Sequence, residues 1–130
     1  MVWYLDTSAF LKLLVAEPES DALRAWLAEQ GPSWSSHLLR TEALRAALHL
    51  EINERAIVEA LEAVSLILPA VSTFLTAGTL GPSTLRSLDA LHLAAALELG
   101  GDLEGLVTYD VRLAAAASAA SLTVVAPGTS

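Results

Sequence analysis

Two short apolar runs, VWYL at 2–5 and GLVTY at 105–109, each end in an aspartate and pass straight into a helical pattern. Runs of this length, rich in β-branched and aromatic residues, read as strands. A strand that feeds a helix is the unit from which parallel sheets are built. Briefer strands are expected in GPSWSS (31–36), in SLIL before Pro69, and in SLTVV (121–125). Helical spacing fills the intervals. AFLKLLVAE (9–17) is followed by a second helix opened by Pro18 and EPESD, with Leu23, Trp26 and Leu27 on its apolar stripe. HLLRTEALRAALHL is capped by Ser36, and NERAIVEALEAV by Asn53, with Ile57, Leu61 and Val64 on one face. STFLTAG, SLDALHLAAALELG (87–100) and the Ala-rich VRLAAAASAA complete the series. The expectation is an α/β fold, a three-layer α/β/α sandwich around a central parallel sheet. No linker or repeat divides residues 1–130, so a single domain is expected.

Four acids look out of place on a solvated surface. Asp6 and Asp110 end the two clearest strands, and ligands of parallel sheets bind beyond the strand C-termini. Asp89 opens a helix that is apolar nearly all round, hence buried. Glu42 lies at the border of its helix's apolar face. Each also has a local reading. Asp6 and Asp110 can cap the helices that follow them, Asp89 can favour a helix dipole, and Glu42 can pair with Arg40 or Arg45. If the four converge, mutual repulsion raises some pKa values unless a cation intervenes. Mg²⁺ and Mn²⁺ prefer carboxylate oxygen and water, and such a site supports phosphodiester hydrolysis.

The net charge of −8, from 15 acidic and 7 basic residues, argues against binding DNA through a basic face. It leaves room for a nuclease whose cation faces the phosphates. With no Cys, disulfides and thiolate metal sites are excluded. No apolar run approaches the roughly 18 residues that span a bilayer. VWYLD has no basic leader, so no signal peptide, no membrane and a cytoplasmic location are expected.

The four acids, with their flanking residues, carry a resemblance. YLDTSAFLKL, SSHLLRTEALRAAL, LRSLDALHLAAAL and LVTYDVRLAAAA, in that order and nearly end to end, resemble the four motifs of the PIN-domain family, in particular VapC-type toxins of bacterial toxin–antitoxin pairs. The resemblance implies a Rossmann-like sandwich and a Mg²⁺- or Mn²⁺-dependent endoribonuclease. Asp6, Glu42, Asp89 and Asp110 would be its acidic quartet and metal ligands. Ser8, Thr108, Arg86 and Arg112 would contact substrate, with Thr7 beside them. It also implies an RNA substrate, a cognate antitoxin and a homodimer. Hydrolysis with departure of the 3′ oxygen would leave 5′-phosphate and 3′-hydroxyl ends. Alternatives are a solitary RNA-processing nuclease and a non-catalytic interaction module.

Other phosphoryl-transfer sites fit poorly. A second Asp two residues after Asp6 is missing, and the only lysine is Lys12, near the start. Trp26 and Trp34 are expected to pack rather than stack on bases. His37 and His49 stand twelve residues apart on one helix, too far to share an ion. His92, one turn after Asp89, is expected to be a packed, hydrogen-bonded core residue separate from the acids, since an oxygen-rich site has little use for imidazole.

Overall fold

The computed structural model describes residues 1–129. Five strands, β1 (Val2–Leu5), β2 (Ser33–Ser36), β3 (Ser65–Ile67), β4 (Leu103–Val107) and β5 (Val124–Val125), form one sheet in the order β3-β2-β1-β4-β5. Every neighbouring pair is parallel. Seven α-helices connect or flank them: α1 (Thr7–Lys12), α2 (Ser20–Ala28), α3 (His37–Leu50), α4 (Glu54–Glu62), α5 (Val71–Thr79), α6 (Ser87–Leu97) and α7 (Val111–Ala119). From β1 the chain steps outward to β3, then crosses to the other side of β1 for β4 and β5. The order therefore reverses between β1 and β4, and a crevice opens beyond their carboxyl ends.

Side-chain alternation along the strands buries both faces. Trp3, Leu5 and Val107 pack with Ala9 and Leu23 of α1 and α2. Tyr4 and Leu106 face the other way, onto Leu93, Ala95 and Ala96 of α6 and Leu113, Ala116 and Ala117 of α7. The alanine run of α6 lets that helix lie close to the sheet. Phe10, Leu39, Ala43, Ile57 and Leu61 join α1, α3 and α4 in a third cluster. At Gly105 a Cβ would lie 2.5 Å from both the Thr123 carbonyl oxygen and the Trp3 ring, so only glycine leaves space for that indole.

The expected caps form. Ser36 Oγ accepts from Leu38 N–H, and Asn53 Oδ1 from Arg55 N–H. Several elements, β5 and α6 among them, are shorter than or shifted from their sequence patterns, and two of these limits have a visible cause. α1 ends at Lys12 rather than continuing to Glu17. The carbonyls beyond it find side-chain donors instead: Arg24 takes that of Leu13 at 3.0 Å, and Ser20 that of Val15 at 2.9 Å. β4 stops at Val107, three residues before Asp110, because side-chain hydroxyls take over its backbone partners. Ser8 Oγ accepts from Tyr109 N–H, and Thr108 Oγ1 from Asp110 N–H.

Candidate active site

Asp6 directly follows β1 and caps α1, and it is only 3 % exposed. One carboxylate oxygen accepts from Ala9 N–H at 2.9 Å and from the Ser8 hydroxyl at 2.7 Å. The other accepts from the Thr108 hydroxyl at 2.5 Å. Burial pushes the Asp6 pKa above the usual carboxylate range, and these three donors only partly oppose it. Thr108 serves two acids at once. Its hydroxyl donates to Asp6 and accepts the backbone N–H of Asp110 at 3.0 Å.

Glu42 projects from α3 into the same crevice. Its Oε1 accepts from the Thr7 hydroxyl at 2.8 Å and lies 2.6 Å from His92 Nε2. The alternative pairing of Glu42 with Arg40 or Arg45 does not occur among the described residues, and both arginines are exposed. Burial raises the Glu42 pKa, but the His92 hydrogen bond and ring charge, with Thr7 and Arg86, outweigh it and hold the group below its ordinary value. His92 is 1 % exposed, and its Nδ1 lies 2.7 Å from the Tyr4 hydroxyl. Burial drives the Tyr4 pKa far above that of a free phenol, so the hydroxyl stays protonated. It donates to a neutral imidazole and accepts from an imidazolium, with Nε2–H facing Glu42 in both cases.

His92 is thus the packed, hydrogen-bonded core residue expected from the sequence, but it is not separate from the acids. Its partner is Glu42, fifty residues away, rather than Asp89 one turn before it. The available signal was a buried histidine on an alanine-rich helix, which demands polar partners from other elements.

Asp89 and Asp110 are bound differently. Asp89 stands in the first turn of α6, and its Oδ2 accepts from Arg86 Nε at 3.0 Å. Asp110 caps α7, its Oδ1 accepting from the backbone of Arg112 and Leu113 at 2.9 and 3.0 Å. Its Oδ2 accepts from Arg86 Nη2 at 2.9 Å. Arg86 therefore bridges the two acids. Arg112 lines an open hollow of about 410 Å³ together with Arg86, Asp110 and Val111, and forms no ion pair among the described residues. The tryptophans pack as expected: Trp26 sits edge-on to Trp3, ring centroids 4.7 Å apart, and Trp34 is half-buried on β2.

The chemistry of this donor set fits a hard divalent cation: four carboxylates with hydroxyls, and no thiolate. Glu42 Oε2 and Asp89 Oδ1 accept no hydrogen bond among the described residues, and both side chains line one hollow of about 270 Å³. Among the described residues, however, no three acids or imidazoles converge closely enough to hold one ion.

An all-parallel sheet whose switch point opens onto four acids defines the class: a Rossmann-like α/β/α domain with an acidic crevice. Comparison with known proteins narrows it. The family model described as PIN domain matches residues 3–119. Ribonuclease VapC46 of Mycobacterium tuberculosis is 46% identical over 125 residues, covering 95% of this chain and 96% of its own. Ribonucleases VapC47 and VapC35 of the same organism are 39% and 43% identical, each over 96% of both chains. The chain belongs to the PIN-domain family, and within it to the VapC type. The crystal structure of VapC20 from M. tuberculosis, a toxin described as cleaving the sarcin–ricin loop, matches the fold with a TM-score of 0.75 at 19% identity, over 96% of this chain and 99% of its own.

Proposed function

We propose that this chain is a VapC-like endoribonuclease toxin that hydrolyses RNA with the help of Mg²⁺ or Mn²⁺. The observation that carries the reading is the delivery of Asp6, Glu42, Asp89 and Asp110, from four separate elements, to the one crevice where strand order reverses. The relatives named ribonuclease VapC, matched over nearly the whole chain, support the activity class. They also support treating residues 1–130 as one PIN domain.

In this reading Asp6, Asp89 and Glu42 would hold the cation, and Asp110 would complete the acidic rim. A divalent ion there supplies positive charge that acidifies water and neutralises phosphoryl oxygens. Ser8 and Thr108 favour the ionised form of Asp6 and aim it, and His92 with Thr7 does the same for Glu42. Arg112, exposed beside Asp110, would meet a substrate phosphate in this reading. Water attacks and the 3′ oxygen leaves, so the products carry 5′-phosphate and 3′-hydroxyl ends, with no part for the 2′-hydroxyl.

Two surfaces support the partners. Residues 63–85 carry no charged side chain, yet Leu68, Val71, Phe74 and Leu75 are all more than half exposed. An exposed apolar face of this kind suits a second copy of the chain. Between α3 and α4, Leu44, Ala47, Leu48 and Ile52 line a groove of about 420 Å³, with Arg45 and Glu54 at its edge. That groove suits an amphipathic helix of an antitoxin.

Cleavage of RNA with added Mg²⁺ or Mn²⁺, followed by mapping of the ends, tests the reaction. Products with 2′,3′-cyclic phosphate would overturn it. Calorimetric titration with Mn²⁺ tests the ligands: wild type is expected to bind and Asp6→Asn to lose binding, whereas equal binding removes Asp6 from the set. A small neighbouring gene encoding a DNA-binding antitoxin distinguishes the toxin from a solitary RNA-processing nuclease.

A further inference from the structure

Arg86 stands where two carboxylates would otherwise face each other unscreened. One guanidinium joins acids from different elements, with Nε on Asp89 and Nη2 on Asp110. Among the described residues no other hydrogen bond or ion pair fastens this side chain. It precedes α6 without making a capping hydrogen bond, and it is 65% exposed against 13% for Asp89 and 22% for Asp110. It also lines both hollows that flank the pair, of about 270 and 410 Å³, so there is open space on either side into which it can swing.

The energetics favour a replaceable partner. Ion pairs with so exposed a guanidinium are individually weak, whereas loss of all positive charge would leave Asp89, Asp110 and nearby Glu42 repelling one another. While the guanidinium is bound it occupies one oxygen of each outer acid, and no three acids converge among the described residues.

We propose that Arg86 is a built-in counter-cation, which an entering divalent ion displaces from Asp89 and Asp110. The inference rests on the reading of these acids as cation ligands. Arg86 is then a positioning residue: it keeps the outer acids charged and in place before the ion arrives, and it competes with the ion for them. Its removal therefore strengthens cation binding, the opposite of what loss of a ligand does.

Calorimetric titration of the full chain with Mn²⁺ alone tests this, using wild type, Arg86→Ala, Arg86→Lys and Arg112→Ala. Arg112 lines the same hollow without an ion pair, so its loss removes equal charge but no bridge. Arg86→Ala is expected to bind Mn²⁺ roughly tenfold more tightly than wild type, the scale of two weak ion pairs. Arg86→Lys, which keeps charge without the fork, falls between, and Arg112→Ala stays within about twofold. If wild type binds but Arg86→Ala binds equally or more weakly, displacement is overturned and the metal site stands. Equal tightening by Arg112→Ala overturns it too, because mere charge then explains the effect. Failure of every variant to bind overturns both readings. Independently, the Arg86 Nε–H resonance of wild type is expected to shift and exchange faster with water on addition of Mg²⁺. An unmoved resonance at saturating Mg²⁺ overturns displacement.

Discussion

Asp6 and Glu42, the inner pair, and Asp89 and Asp110, the outer pair bridged by Arg86, are the same kind of group held by opposite means. Asp6 is the most enclosed of the four, and it and Glu42 are satisfied by hydroxyls, a backbone N–H and a buried histidine. The outer pair is satisfied by one helix cap, at Asp110, and by one exposed arginine. The burial of the donors, not of the acids, distinguishes the two: His92 and Thr108 are each 1% exposed and Arg86 65%. A buried guanidinium would carry a large desolvation cost, while hydroxyl and imidazole donors can be enclosed cheaply once hydrogen-bonded. At the rim water screens the charge, and a flexible Arg suffices. The inner half is therefore rigid and tied to the core, and the outer half is replaceable.

The largest expected effects put this contrast to the test through activity. Asp89→Asn should lower RNA cleavage by about a hundredfold or more, because charge at the reacting centre is lost, while thermal stability is kept or slightly raised. Cleavage with mapped ends and a melting curve check both parts. A marked fall in stability would show that the outer half is as structural as the inner.

His92→Phe addresses the inner half. It keeps the ring volume but leaves the Tyr4 hydroxyl and Glu42 without their partner. We expect destabilisation by about 1–3 kcal/mol and a loss of activity of roughly tenfold or more through a misaimed Glu42. Urea unfolding and steady-state cleavage measure the two. Unchanged values in both would mean that the buried network does no positioning.

The pH dependence of stability in EDTA sharpens the comparison further. The folded chain raises the Asp6 pKa, so ionised Asp6 opposes folding at neutral pH. That cost is relieved as pH falls through the raised value toward the ordinary aspartate range. Glu42 has the opposite sign: its lowered pKa adds stability above the ordinary glutamate value, which is lost as pH falls through the lowered one. Melting temperature should therefore rise on mild acidification and drop again at lower pH. Asp6→Asn should remove the rise and leave the drop. A monotonic fall in wild type would show that Asp6 carries no such cost.

Asp110→Asn should have the smallest effect on folding. Asn still caps α7 and loses only the pairing with exposed Arg86, so the change should stay below about 1 kcal/mol. Asp110→Ala, which loses the cap as well, should cost about 1–2 kcal/mol more. Chemical denaturation of the pair separates cap from ion pair.

Much of this site was legible without coordinates. Asp6 and Asp110 announce themselves because each follows an apolar run and precedes a helix, and Asp89 because it opens a helix that must be buried. Ser8 and Thr108 sit two residues from an acid in the strand-end motifs. The strand limits were less legible. GLVTY continues as a β pattern, but the Ser8 and Thr108 hydroxyls capture the backbone N–H groups that a longer β4 would have used. The first helix was overestimated for a similar reason, since Arg24 and Ser20 supply donors that no local pattern reveals.

The sequence by itself determined the alternation of strand and helix, the parallel sheet and the four acids, because each depends on local periodicity and on residues adjacent to it. Only the tertiary structure decided who partners whom. His92 lies one turn from Asp89 yet bonds Glu42, while Arg86, paired with Asp89, also reaches Asp110 twenty-four residues on. Hydrogen bonds and ion pairs act over about 3 Å, and which groups come within that distance is set by how α3, α6 and β4 pack, not by their separation along the chain.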